Sequence, residues 1–269
     1  MAALAAERDD GPVTDALPAP PARQPDVADD FAKGFDPALW ITNYLQHWTT
    51  PARAEARFSQ RPDGVALHID QDQLDWRAED APLRVSNIQT GSFSGPPGST
   101  RGTHRHRPDG LTVRTAVPLK LLWAPRAGRI DVTVRASRDL DCMLAAWLVG
   151  SEHESPRDSG EVCIFEIDAR QGSTGWTART GIKAHHDDRL STTMIETPLT
   201  FDASTPHTWT AIWGDGETVI GCNDTVVHRV PQAPNYPMFF MLDLFEIGTP
   251  RGEYPKTALL HSMRGWGIE

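Results

Sequence analysis

From Phe31 onward, apolar residues recur at every second position rather than every 3.6. Val65, Leu67 and Ile69 alternate with polar neighbours, as do Leu111, Val113 and Thr115. Ile130, Val132 and Val134 do the same, then Trp209, Ala211 and Trp213, then Met238, Phe240, Leu242 and Leu244. A period of two places alternate side chains on one face of a strand, so these segments predict half-buried β-strands. Turn signals separate them at Pro62-Asp-Gly64, Pro108-Asp-Gly110, Ala127-Gly128 and Gly214-Asp-Gly216. No capped helical pattern stands out, and the 22 prolines break most candidates. Many strands over about 240 residues predict an all-β sandwich or barrel. No linker divides residues 31–269, which read as one domain.

Residues 1–30 differ in kind. They hold seven acidic residues, two arginines and five prolines, with almost no large apolar side chain. Such a segment buries too little surface to offset its ordering entropy, so a disordered acidic tail is expected over 1–30. Its opening lacks the basic start and apolar stretch of a secretory signal, which predicts a cytoplasmic protein. The net charge of -10 argues against nucleic acid, whose phosphates require a basic face. No apolar run is long enough for a membrane-spanning helix. Three cysteines (Cys142, Cys163 and Cys222) make no disulfide framework. A monomer is expected.

The informative stretch runs Ser159-Gly-Glu161-Val-Cys163-Ile-Phe-Glu166-Ile-Asp168. Its β-formers predict a strand with both faces covered. Two glutamates in such a strand are costly unless something satisfies or uses them. At an odd separation, positions 161 and 166 point to opposite faces of a regular strand. One β-bulge between them brings both to one face, where two carboxyls can act as nucleophile and as acid then base in retaining glycoside hydrolysis. Crowding of that kind is expected to keep one proton on the pair and raise one pKa. The other reading is a sandwich strand with one glutamate at each exposed margin.

The segment resembles the Glu-x-Asp-x-x-Glu signature of glycoside hydrolase family 16. Upstream, Trp123 to Asp131 and Met143-Leu-Ala-Ala-Trp147-Leu-Val-Gly150 look like the family's two preceding strands. Downstream, His207-Thr-Trp209-Thr-Ala-Ile-Trp213, Val219 to Asp224, Pro237 to Phe245 and the strand near Trp266 look like its later strands. The resemblance covers about residues 30–269. It implies a concanavalin A-like β-jelly roll of two curved antiparallel sheets, with a carbohydrate cleft on the concave face and a β-linked glucan or galactan as substrate. By position, Glu161 would be the nucleophile and Glu166 the acid/base. Cys163 stands where the family has an aspartate that hydrogen-bonds the nucleophile, and a neutral thiol does not replace a carboxylate electrostatically. The family often places a histidine just after the glycine equivalent to Gly181; here Lys183 is nearer that position. The departure at Cys163 leaves a non-catalytic carbohydrate-binding jelly roll open as an alternative, and the missing export signal leaves open an intracellular enzyme acting on a small metabolite, glycosylated or not.

Several other residues are candidates for the cleft. Trp147 precedes the glutamate strand, and Trp48 and Trp76 lie in polar, loop-like surroundings that suggest an exposed wall. Trp209 and Trp213 share parity and are expected in the core. His185 and His186 follow the glutamate strand by one hairpin, while Arg126 and Asn87 are possible polar contacts. The loops Gly91–Gly102 and Ser151–Ser159 would border the cleft. His104-Arg-His106 and His185-His186 lack the partner spacing of a zinc site, so no metal or other cofactor is expected.

Overall fold

The computed structural model describes residues 15–107, 110–169 and 175–268. Two antiparallel sheets form its layers. One has eight strands in the order Thr225–Val230, Glu217–Cys222, His207–Gly214, Ala127–Arg135, Lys256–Ile268, Gly64–Ile69 and Arg57–Arg61, with Val27–Asp29 also pairing to Lys256–Ile268. The other has six, in the order Thr193–Leu199, Trp176–Lys183, Glu161–Ala169, Cys142–Gly150, Met238–Ile247 and Leu83–Gln89. This is the all-β jelly-roll sandwich that the alternating pattern and the resemblance predict.

The inner faces meet in one core. Val65, Leu67, Ile130, Val132, Val134, Trp209 and Trp213 come from the larger sheet, and Leu144, Leu148, Val162, Phe165, Ile167, Phe240 and Leu242 from the smaller. Each fully buried aliphatic or phenyl side chain contributes roughly 1.5–3 kcal/mol of apolar burial. A second apolar cluster lies on the outer face of the six-stranded sheet. There Tyr44, Leu45, Trp48, Trp76, Leu111 and Val113 pack over Trp147, Val149, Cys163, Met241 and Phe245. Both faces of the sheet are thus covered, which is why its strands read as near-continuous apolar runs.

Three local readings change. Leu111 and Val113 alternate because a loop inserts them into the second cluster, and no strand forms there. Ala127-Gly128 opens the strand Ala127–Arg135 rather than a turn. Trp48 and Trp76 are buried, with 0% and 1% of their surface exposed. Their indole N–H groups donate to Thr103 O (3.2 Å) and Tyr44 O (3.1 Å), so they brace loops instead of forming an open wall.

The acidic segment is also placed differently over residues 15–30. Val27–Asp29 pairs with residues 263–265 of the last strand. Its acids have specific partners: Asp15 with Arg229, Asp26 with Arg23 and the Gly267 N–H, and Asp29 with the Trp40 indole N–H. Backbone pairing and these polar contacts order a segment with little apolar surface of its own. Residues 1–14 of the expected tail, and Pro108-Asp109 of one turn signal, lie outside the described residues. No helix among the described residues is long and apolar enough to cross a membrane.

Candidate active site

The strand Glu161–Ala169 lies inside the six-stranded sheet. On one side Val149, Trp147 and Ala145 face Glu161, Cys163 and Glu166; on the other Lys183, Gly181 and Arg179 face the same three residues. Both ladders shift register between Cys163 and Glu166. The extra residue is a β-bulge at Ile164-Phe165, and both of those consecutive side chains enter the inter-sheet core. Glu161, Cys163 and Glu166 consequently share the outer face. One side-chain donor atom from each lies within 4.8 Å of the others.

Gly181, across from Cys163, makes room for the next strand. Its φ of +142° suits glycine, and a Cβ there would stand 1.9 Å from Thr193 O. The edge strand Thr193–Leu199 can therefore come close on the side away from Cys163.

Lys183 bridges the pair. Its Nζ is 2.9 Å from Glu161 Oε1 and also bonds Glu166 Oε1. Arg179 Nε donates to Glu166 Oε2 at 2.9 Å, and its Nη1 donates to Asp168 at 2.9 Å. On the other side of Glu161, His185 Nε2 meets Oε2 at 3.0 Å and His104 Nδ1 stands 3.8 Å from the same oxygen. Glu161 is 1% exposed and Glu166 8%.

These contacts decide the electrostatics. Burial opposes the charge on Glu161, but the Lys183 ammonium, the His185 hydrogen bond and His104 outweigh it and hold its carboxyl well below the usual range. This corrects the expectation of a shared proton for Glu161: a cation occupies the space where two carboxylates would otherwise repel. Burial also opposes the charge on Lys183, yet Glu161, Cys163 and Glu166 raise its pKa. Burial, then the nearby Glu166 carboxylate, push the Cys163 thiol far up, so it is a neutral S–H donating to Arg179 O at 3.4 Å. His104 is pushed down to about 3 by burial, against the pull of Glu161.

The other expected site residues divide. Trp147 reaches the site, but the His104 ring stacks on its indole at 6.0 Å with 18° between planes, and Lys183 Nζ sits 5.3 Å from the ring centroid. His185 reaches Glu161. His186 turns away and lines a separate cavity of about 390 Å³ with Arg101, Arg105, Glu152 and Arg157. Arg126 is half exposed and pairs with Glu154 at 3.5 Å, making no contact with the glutamates. Asn87 is buried, and its amide donates to Asp243 Oδ1 at 2.8 Å; burial holds Asp243 well above the usual carboxylate range. Asn87 and Asp243 lie in the same cross-strand row as Glu166, separated from it by Ala145.

Arg179 is absent from the sequence expectations, and Lys183 and His104, noted there, have roles not expected of them. Arg179 and Lys183 alternate on the strand after the glutamates, and allowing for the bulge puts both beside the pair. His104 carries no such signal, because a loop distant in sequence brings it in.

No protein-family model matches the chain, and no curated protein matches it. Solved structures do. A GlcNAcα1-4Gal-releasing endo-β-galactosidase from Clostridium perfringens is 19% identical with a TM-score of 0.77, over 94% of this chain. The chain spans 66% of that structure's length. SCLam, a non-specific endo-β-1,3(4)-glucanase from family 16, gives 13% identity and a TM-score of 0.61, over 94% of each chain. The fold is a family-16-like jelly roll. The laminarinase catalytic domain of Thermotoga maritima agrees at 12% identity and a TM-score of 0.61, over 91% of this chain and 98% of its own. Within the family-16-like fold, the glutamate strand of this chain sits in the six-stranded sheet, with its acidic side chains on the face away from the core.

Proposed function

We propose that the chain is a retaining glycoside hydrolase or transglycosylase acting on O-glycosidic bonds of a β-linked glucan or galactan. Glu161 is its nucleophile and Glu166 its acid, then base. The observation that carries this reading is the bulge that brings their carboxylate oxygens within 4.8 Å on one face. Retaining pairs stand about 5–5.5 Å apart between carboxyl groups, which is short enough for direct attack on the sugar. Holding Glu161 ionised suits a nucleophile. Lys183 has to leave Glu166 as the glycosidic oxygen approaches, and its flexible four-carbon stem permits that. His104 has to lift from Trp147 before a sugar ring can stack there. The solved β-galactosidase and β-glucanase structures of the same fold make β-glycans the substrates to try first.

The test is incubation with β-1,3-glucan, mixed-linkage β-glucan and β-galactan, following reducing ends and, by NMR, the first anomer formed. The expected first product keeps the β configuration, and Glu161→Gln and Glu166→Gln each lower turnover by about 1,000-fold. Wild-type turnover by Glu161→Gln would overturn the assignment.

Two observations favour a second reading, a non-catalytic carbohydrate-binding jelly roll: Lys183 neutralises the pair, and Cys163 stands in place of the family aspartate. Under that reading, calorimetry shows oligosaccharide binding that survives loss of both glutamates, and no glycan is turned over.

A further inference from the structure

The glutamate pair has a second set of neighbours that the hydrolytic reading does not use. His104 Nδ1, Glu161 Oε2 and His185 Nε2 converge from a loop, a strand and a turn. Two edges of the triangle measure 3.0 Å and 3.8 Å, and all three atoms lie within 4.8 Å of one another. We propose that these three atoms form a binding site for a divalent transition-metal ion of the zinc type.

Two imidazoles and one carboxylate are a donor set that zinc and cobalt take readily. Donors about 2.1 Å from a tetrahedral ion are about 3.4 Å apart, so the two measured edges need shifts of less than 1 Å. Three protein ligands leave a fourth position for water, the pattern of zinc sites that exchange ligands.

His104 supplies the independent sign of a ligand. The residue is 8% exposed, and its Nδ1 has no hydrogen-bond partner among the described residues although it faces Glu161. Buried imidazole nitrogens are ordinarily paired, so an unpaired one aimed at a carboxylate and a second imidazole marks a place for a cation. The ring is also held in place. Glu152 Oε1 accepts the His104 backbone N–H at 2.6 Å, and Trp147 stacks on the ring. Both histidines have left-handed backbones, φ +54° at His104 and +48° at His185, a conformation uncommon for non-glycine residues.

The charges nearby are compatible. Lys183 binds Oε1 of Glu161, and the histidines approach Oε2, so the two oxygens divide the work. Glu166 and Arg179 lie beyond Lys183 and pair with each other. Coordination of Oε2 would also withdraw Glu161 from attack on a sugar, so a bound ion is expected to inhibit glycan turnover. The site itself does not depend on that activity.

The test uses the purified chain, stripped with a chelator and titrated with Co²⁺, then with Zn²⁺ in competition. Tight binding with the visible d–d bands of a low-coordinate cobalt site is expected. His185→Ala, on a partly exposed turn, should weaken Co²⁺ binding by about 100-fold or more, and His186→Ala should leave it unchanged. His104→Gln, with circular dichroism confirming the fold, should behave as His185→Ala does. Absence of d–d bands in the wild type, or wild-type affinity in His185→Ala, would overturn the proposal. Cobalt bands in a protein that, stripped of metal, turns over no glycan would support the metal site and count against the glycosidase reading alone.

Discussion

Lys183 faces Glu161 directly across two paired strands, and its ammonium is 2.9 Å from that carboxylate while also bonding Glu166. A strand that carries two buried acids is made tolerable by one base on its neighbour. Removing that base leaves negative charge buried without its counterion, the costly half of a broken ion pair.

Lys183→Met is therefore expected to destabilise the fold by about 3–5 kcal/mol at neutral pH. The pH dependence should change sign as well. In the wild type the folded pKa of Glu161 is lowered, so its contribution is present above the unfolded carboxylate pKa and is lost on acidification. In the variant the crowded carboxyls gain a raised pKa, and stability falls as pH rises. Urea denaturation at pH 3, pH 5 and pH 7.5 measures both effects; a variant as stable as wild type at pH 7.5 would contradict the pairing.

Gly181→Ala tests the close approach of the edge strand Thr193–Leu199. A Cβ meets the Thr193 carbonyl oxygen, which is backbone and cannot rotate away, at a φ that disfavours alanine. A loss of about 3 kcal/mol or more is expected, beyond the ordinary cost of a surface change. The denaturation midpoint reads it directly.

His47 predicts an acid-side weakness. It is buried, and its Nε2–H donates to Thr103 O at 2.9 Å, anchoring the loop that leads to His104. Burial pushes its pKa down to about 4 from an ordinary 6.5. The stability it contributes is whole above pH 6.5 and is lost as pH falls toward 4, by about 3 kcal/mol. His47→Gln keeps a donor for the same carbonyl and removes the titration. The stability difference between variant and wild type should swing toward the variant over that window.

Trp48→Ala should cost about 3–5 kcal/mol, as expected for emptying a buried indole site. Trp147→Ala should lower glycan affinity as well as stability, because its buried indole supports Lys183 and His104 beside the glutamates. Equal effects of the two changes on glycan binding would contradict the separate roles.

The strands were legible because half-buried strands write their faces into every second residue. The glutamate pair was legible through its motif, and the bulge through the conflict between odd spacing and a shared face. What stayed hidden depends on contacts distant in sequence. Trp48 and Trp76 sit among polar residues in the chain, yet loops fold them onto the outer face of the sheet. Asp15, Asp26 and Asp29 look like members of a solvated acidic run, but their partners are Arg229, Gly267 and Trp40. His104 is more than fifty positions from Glu161, and no local spacing announces their meeting.

The bulge also bears on how such a site tolerates insertions and deletions. Ile164 and Phe165 both enter the core, so one of them is surplus to the alternation. Excising Ile164 would leave Glu161 and Glu166 four positions apart, an even separation that again sets both on one face. A shorter, unkinked strand and a longer, bulged one can thus present the same pair of acids. A sequence pattern for this chemistry has to accept either spacing, and a single-codon length change here need not abolish the pair.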